Sequence, residues 1–173
     1  MTLSRQSLRL ATRWGFSLIE LLVVVGIILI IAAFALPNLL RSKLSANEAS
    51  AAATLRVLFS AENLYVGAYN VYSPDLTSLG PATPGTAPNS SAADLADRVL
   101  SGQIAGQAAQ FDKAGYRFRY TPIGNPAKQF AITADPISRG ATGQHSFYMD
   151  QSGVIRWNSS ATATSTDPVA PAG

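Results

Sequence analysis

The chain has 173 residues, of which 13% are charged and none is cysteine, so disulfides, thiolate zinc sites and a cysteine nucleophile are excluded. Its formal net charge of +3 comes from Arg5, Arg9 and Arg13, which lie before Gly15 with no acidic residue among them. The basic charge therefore describes the N-terminal end and does not indicate nucleic-acid binding.

The N-terminal region joins a basic leader, residues 1–15, to an apolar run from Phe16 to Leu36 that carries one charge, Glu20. As a helix this run spans about 31 Å, close to the roughly 30 Å of bilayer hydrocarbon. We therefore predict a transmembrane helix with the leader in the cytoplasm and the following residues translocated. Arg41 and Lys43, on the far side of the run, oppose that orientation.

Glu20 needs an explanation, since a carboxylate at the bilayer centre costs about 2.5–3.5 kcal/mol. A plain membrane anchor leaves the charge without a purpose. A secretory signal peptide is the second interpretation, because Ala33-Phe34-Ala35 has the A-x-A form of a cleavage site. Glu20 argues against it as well, because the apolar region of a signal peptide has no use for a carboxylate.

The segment Gly15-Phe16-Ser17-Leu18-Ile19-Glu20 resembles the processing motif of type IV prepilins and of the pseudopilins of type II secretion. This resemblance implies that a prepilin peptidase cleaves between Gly15 and Phe16 and that Phe16 is then N-methylated. It also implies that the apolar helix is kept, first as a membrane anchor and later as the core of a filament. Glu20 then stands four residues after the new N-terminus, where the family has its characteristic glutamate.

Burial explains what Glu20 would do in such a filament. The new ammonium at Phe16 of one subunit and the carboxylate of Glu20 in its neighbour are each costly to bury, and they become tolerable as a pair that also fixes axial register. Before assembly, Glu20 lies in the first turn of its own helix, where the positive end of the helix dipole and the membrane interface favour it.

A helical pattern continues through an amphipathic half, residues 37–72, in which apolar residues recur at spacings of three, four and seven. These are Leu40, Leu44, Ala51, Leu55, Leu58, Tyr65 and Tyr69. A helix from Phe16 to Tyr69 would be about 80 Å long, so we expect its apolar half to protrude. Pro37 is predicted to interrupt the helix by removing one hydrogen bond. Many pilins carry a proline at this position, and the resemblance implies a role for Pro37 in assembly, because in filaments of that family the helix is often locally melted nearby.

Residues 73–158 are predicted to form a globular α+β head. A loop with little regular structure is expected from Ser73 to Asn89, followed by a short helix from Ala92 to Leu100, capped by Ser91 and ended at Gly102. Strands are predicted at Tyr116–Tyr120, Gln129–Thr133, His145–Met149 and Val154–Trp157, the last two joined by a turn at Asp150-Gln151-Ser152-Gly153. They would form a small antiparallel sheet packed on the long helix. Residues 159–173 are predicted to be a disordered tail.

The head also resembles the globular end of cysteine-free pilin-like proteins and major pseudopilins, through Phe130 to Pro136 and Ser146 to Arg156. The two-cysteine C-terminal loop of many major pilins is missing. That departure leaves the choice between a pilus and a secretion filament open.

Residues that would carry chemistry are few, and we predict no enzyme, no cofactor and no metal. His145 is the only histidine, and no phosphate-binding glycine loop is present. Asp150 and Ser152 suit a calcium loop, but a turn explains them more simply. A patch of Tyr116, Arg117, Arg119 and Lys128 would suit DNA, but a solvated strand face is the simpler interpretation, and no nucleic acid is expected.

The sequence therefore predicts the precursor of a type IV pilus-like subunit, located in the bacterial inner membrane before assembly and at the cell surface afterwards. Its expected partners are identical or related subunits, the prepilin peptidase, the inner-membrane assembly platform and the membrane. One alternative is a major pseudopilin in a periplasmic filament of type II secretion. The other, from a different class, is a single-pass anchored periplasmic binding module that does not polymerise.

Overall fold

A computed structural model describes residues 15–104 and 106–171. Of the leader predicted over residues 1–15, all but Gly15 lies outside the described residues. The chain divides into two compact units, one ending at Leu39 and the other beginning at Leu40. The second unit contains all the strands, and its residues from 73 onward are called the head below.

One α-helix, α1, runs from Leu18 to Tyr69. It begins two residues later than predicted, and it ends at the predicted Tyr69, three residues before the end of the amphipathic half predicted over residues 37–72. Asn70 ends it by adopting a left-handed backbone with φ of 59°, a conformation in which asparagine is well tolerated at the end of a helix. Pro37 lies inside α1, so the predicted interruption does not break the helix and is confined to the one hydrogen bond that proline cannot donate.

The segment after α1 differs from the prediction in two places. Leu76–Leu79 forms a 3-10 helix inside the predicted loop, and Asp75 caps it by accepting a hydrogen bond from the amide of Ser78. The helix predicted from Ala92 to Leu100 is wrong. Backbone amides at residues 93–96 donate to carbonyls at residues 78–80, so they are not available for helical hydrogen bonds.

The head contains a five-stranded antiparallel sheet in the order β1-β2-β3-β4-β5, which confirms the α+β fold class. The strands are Gln110–Lys113 (β1), Tyr116–Ile123 (β2), Gln129–Pro136 (β3), Ser146–Asp150 (β4) and Arg156–Asn158 (β5). Four of them were predicted with shifted ends. The sequence analysis missed β1, which has only four residues, two of them charged.

Alternation along β2 directs its aromatic residues into the core. Tyr116, Phe118 and Tyr120 are buried, while Arg117 and Arg119 lie on the other face. The buried face of α1 contributes to the same core. Its fully buried large residues are Leu55, Leu58 and Tyr65, and Tyr69 is half-buried. Burial of each such side chain stabilises the head by about 1.5–3 kcal/mol.

The tail predicted to be disordered is ordered over its described residues, 159–171, so that prediction is wrong. The amide of Trp157 donates to the carbonyl of Pro168, and the amide of Ala170 donates to the carbonyl of Ile155. Asp167 accepts hydrogen bonds from Thr164 and from the side chain of Asn158. The segment therefore pairs with the outer edge of β5, an edge that would otherwise expose unpaired backbone groups.

Arg139 ties this C-terminal segment to the β3–β4 connection. Its guanidinium donates to the carbonyls of Ser159, at 2.8 Å, and Ala161, at 3.2 Å. It also donates to the hydroxyl of Ser146 and the carbonyl of Gln144. One side chain thus connects three stretches of a head that has no disulfide.

We predict that Arg139→Ala lowers the free energy of unfolding of the head by about 1–2 kcal/mol, because several acceptors lose a charged donor while remaining partly accessible to water. The measurement is denaturant unfolding of the full chain in a neutral detergent. Arg98→Ala is the matched control, since exposed Arg98 makes no side-chain hydrogen bond to any described residue. Equal stability of the two variants would contradict the role given to Arg139.

Candidate functional site

The residues of the predicted processing site lie ahead of α1, outside the helix, and are exposed. Gly15, Phe16 and Ser17 precede the helix, and the carbonyl of Ser17 accepts its first hydrogen bond, from the amide of Leu21 at 3.2 Å. The side chain of Phe16 is 72% exposed. The peptide bond between Gly15 and Phe16 therefore lies outside the helix, and the described residues leave it accessible to solvent.

Packing within the described chain does not require a glycine at position 15. A Cβ atom built on Gly15 meets no described atom within 4 Å. By contrast, a Cβ on Gly143 would overlap the ring of Tyr116, so that glycine has a packing reason. Gly15 has no such packing reason among the described residues, and the same holds for Gly26 and Gly67.

Glu20 lies in the first turn of α1, where the helix dipole favours a carboxylate. Its side chain is exposed, and none of the ion pairs found among the described residues involves it. The next acidic residue along the chain is Glu48. Glu20 is thus a single negative charge in an apolar segment with no cationic partner in the described part of its own chain.

The helix from Leu18 to Tyr69 is long and apolar enough to cross a membrane, and its most apolar window has no buried residue in the described structure. From Phe16 to Leu40, seventeen large hydrophobic side chains are exposed. Soluble monomers rarely expose a contiguous apolar patch of this size. Something other than the described residues must keep this surface from water.

Glu48 anchors the β3–β4 connection of the head to α1. Its Oε1 accepts hydrogen bonds from the amides of Gln144, at 2.7 Å, and His145, at 3.2 Å, and its Oε2 lies 3.0 Å from Nδ1 of His145. The neighbouring Asn47 donates to the carbonyl of Thr142 at 2.8 Å. His145, which precedes β4, therefore has a structural role in this contact.

Glu62 is a fully buried carboxylate that the sequence analysis did not single out. Its oxygens accept hydrogen bonds from the amide and the hydroxyl of Ser73, and the hydroxyl of Tyr120 donates to the Ser73 carbonyl. A signal was available, because Glu62 lies four residues after Leu58 and three before Tyr65, on the apolar face of α1. A charge on that face needs partners in the core.

The two glutamates have pKa shifts of opposite sign. Burial raises the pKa of Glu62, and the hydrogen bonds that it accepts from the amide and hydroxyl of Ser73 only partly offset that effect. Burial also acts to raise the pKa of Glu48, but the hydrogen bonds from the ring of His145 and from the two amides outweigh it and lower the pKa. Folding thus favours the protonated form of Glu62 and the ionised form of Glu48.

The other residues considered for chemistry lie in ordinary structural roles. The ring of Tyr116 is buried, and its hydroxyl donates to the carbonyl of His145. Arg117 pairs with Asp112 at 2.8 Å, and Arg119 pairs with Asp135 at 2.9 Å. In the last hairpin Asp150 accepts from the amide of Ser152, as expected of a turn. Among the described residues, no group of three or more acidic or histidine side chains is placed to hold a metal.

Neither the family models nor the curated proteins compared with this chain include a match.

We predict that Glu62→Gln and Glu48→Gln change the pH dependence of unfolding in opposite ways. The contribution of Glu62 to stability is fully present below its ordinary pKa of 4.5 and is lost as the pH rises through its higher folded value. The contribution of Glu48 is present above 4.5 and is lost as the pH falls through its lower folded value.

Denaturant unfolding of the full chain from pH 3 to pH 8 measures both effects. Relative to wild type, Glu62→Gln should gain stability as the pH rises above about 4.5, because the amide carries no buried charge. Glu48→Gln should be less stable at neutral pH, and its deficit should shrink in acid. The assignment is wrong if both variants follow the wild-type curve at a constant offset.

Proposed function

We propose that the chain is the precursor of a structural subunit of a type IV pilus-like filament, cleaved between Gly15 and Phe16 and polymerised through α1. The observation that carries the proposal is the exposed apolar surface from Phe16 to Leu40 with Glu20 as its one acidic residue. Complete burial is worth about 1.5–3 kcal/mol for each large side chain, so this surface favours insertion into a bilayer or packing against other copies.

The position of Glu20 favours a role beyond anchoring. A membrane anchor is stabilised by removing a carboxylate from its apolar segment, whereas a polymer gains from the carboxylate if a neighbour supplies a cation. Cleavage after Gly15 creates such a cation, because the ammonium of Phe16 then begins the chain. Two residues therefore support a mechanism in which cleavage creates the partner of a buried charge. Gly15 has no packing role among the described residues, and Glu20 has no ion-pair partner in the described part of its own chain.

The order of events follows from these charges. The leader holds three cations on the cytoplasmic side during insertion. The peptidase then removes the leader together with those charges and exposes the ammonium of Phe16. A subunit leaving the bilayer brings its Glu20 to the ammonium of a neighbour, and the two costly charges are buried together at a defined register.

A major pseudopilin of type II secretion is the second candidate. The absence of a disulfide in the head supports it. The head is held by Glu48, Glu62 and Arg139 instead of a disulfide, in agreement with its resemblance to cysteine-free pseudopilins. Both candidates use the same processing and the same charge pair. They differ in the filament produced, a long surface pilus in one case and a short periplasmic assembly in the other.

We predict that Glu20→Ala and Glu20→Gln leave cleavage and membrane insertion intact but abolish filament assembly, because the neighbour's ammonium would then be buried without a counter-charge. The measurement is filament yield after shearing of cells that supply the peptidase and assembly platform, with the membrane fraction assayed in parallel. Long filaments from wild-type cells favour the pilus over the secretion assembly.

Asp94→Asn is the matched control, because it removes one exposed carboxylate from the head while keeping a residue that tolerates its φ of 57°. Its filament yield should equal that of wild type. A normal filament yield from either Glu20 variant would contradict the proposal that Glu20 fixes the axial register between subunits. Cleaved wild-type chain that never polymerises would instead favour the anchored binding module.

A further inference from the structure

Two basic residues directly follow the exposed apolar surface of α1, and they have no role in the proposed function. Arg41 and Lys43 are the only basic residues between positions 16 and 55. Both side chains are exposed, and neither takes part in the ion pairs found among the described residues. After cleavage at Gly15 they are the nearest basic side chains to the membrane segment.

Their position along α1 corresponds to the lipid headgroup layer. If the hydrocarbon core ends at Leu36, the Cα atoms of Arg41 and Lys43 lie about 7.5 Å and 10.5 Å further along the helix, by the rise of about 1.5 Å per residue. Headgroups extend roughly 5–8 Å beyond the hydrocarbon on each side. Long basic side chains reach back along the helix toward this layer while their apolar stems cover its surface.

The angular placement of the two residues favours lipids over a protein partner. Residues two apart on a helix are separated by about 200°, so Arg41 and Lys43 lie on nearly opposite sides of α1. One facing protein would contact one side only. Lipids surround a single membrane helix on every side, and their phosphates are accessible to both cations.

We propose that Arg41 and Lys43 bind the phosphates of anionic phospholipids in the leaflet on the translocated side, where they hold the point at which α1 leaves the bilayer. The proposal rests on the membrane-anchoring part of the proposed function and not on polymerisation. Basic residues are normally enriched on the cytoplasmic side of a membrane helix. Lipid binding explains why these two cations lie on the translocated side instead. Subunits leaving the bilayer for a filament must break these contacts.

The test is competition between phosphatidylglycerol and phosphatidylcholine for the full chain in neutral detergent micelles, with retained lipids counted by native mass spectrometry. Each basic residue near an anionic surface contributes about 1 kcal/mol, a factor of about five. Wild type should therefore prefer phosphatidylglycerol, and R41Q/K43Q should reduce that preference about 25-fold. High salt should weaken the wild-type preference, because it screens exposed charges.

R56Q is the matched control, because exposed Arg56 lies on α1 too far from the apolar segment to reach its headgroups, and its preference should equal that of wild type. All three proteins keep the leader, so its arginines contribute equally to each. Equal lipid preference in wild type and R41Q/K43Q would overturn the proposal, as would an equal loss in R56Q. Filament assays are independent of this result, so failure here leaves the polymerisation proposal standing.

Discussion

The exposed apolar half of α1 is the constraint on which the rest of this chain depends. Its side chains from Phe16 to Leu40 have no cover among the described residues, and we propose that lipid and then other copies of the chain cover them. Both environments accommodate apolar side chains, and they differ mainly in the free-energy cost of burying a charged group. In the proposed function, Glu20 is disfavoured in hydrocarbon and pairs with a neighbour's ammonium, so this one carboxylate would favour the assembled state over the membrane state.

The head meets a different requirement, since it must remain folded in both environments without a disulfide. Three polar anchors support its hydrophobic core. Glu48 holds the β3–β4 connection on α1, Glu62 holds the chain after α1 through Ser73, and Arg139 holds the C-terminal segment. Glu48 and Glu62 both lie on α1, on the side that contacts the head. Nearer its N-terminus the same helix is apolar and exposed. One helix thus serves as a scaffold for the head and as the surface proposed for assembly.

The parts of this fold that the sequence predicts are those governed by local pattern. Periodicity predicted a helix that ends at Tyr69, and the run of aromatic residues predicted a strand that begins at Tyr116, as β2 does. The failures occurred where distant backbone groups decide the structure. Amides at residues 93–96 bond to carbonyls at residues 78–80 in place of a helix, and the C-terminal segment is ordered because the edge of β5 accepts it. In the candidate site, Gly15, Phe16 and Glu20 are predictions from the motif, whereas Glu62 acquires its structural role only through contacts with the distant Ser73.

The central claim is that Glu20 serves a polymer because cleavage creates the cation that it binds. Mass analysis of the N-terminus of the protein recovered from membranes and filaments tests this claim most directly. The account predicts a chain that begins at Phe16 and carries one methyl group on its amine. A chain that begins at Leu36, or one that keeps its leader, would contradict the account, because in neither case would Phe16 supply an ammonium to pair with Glu20.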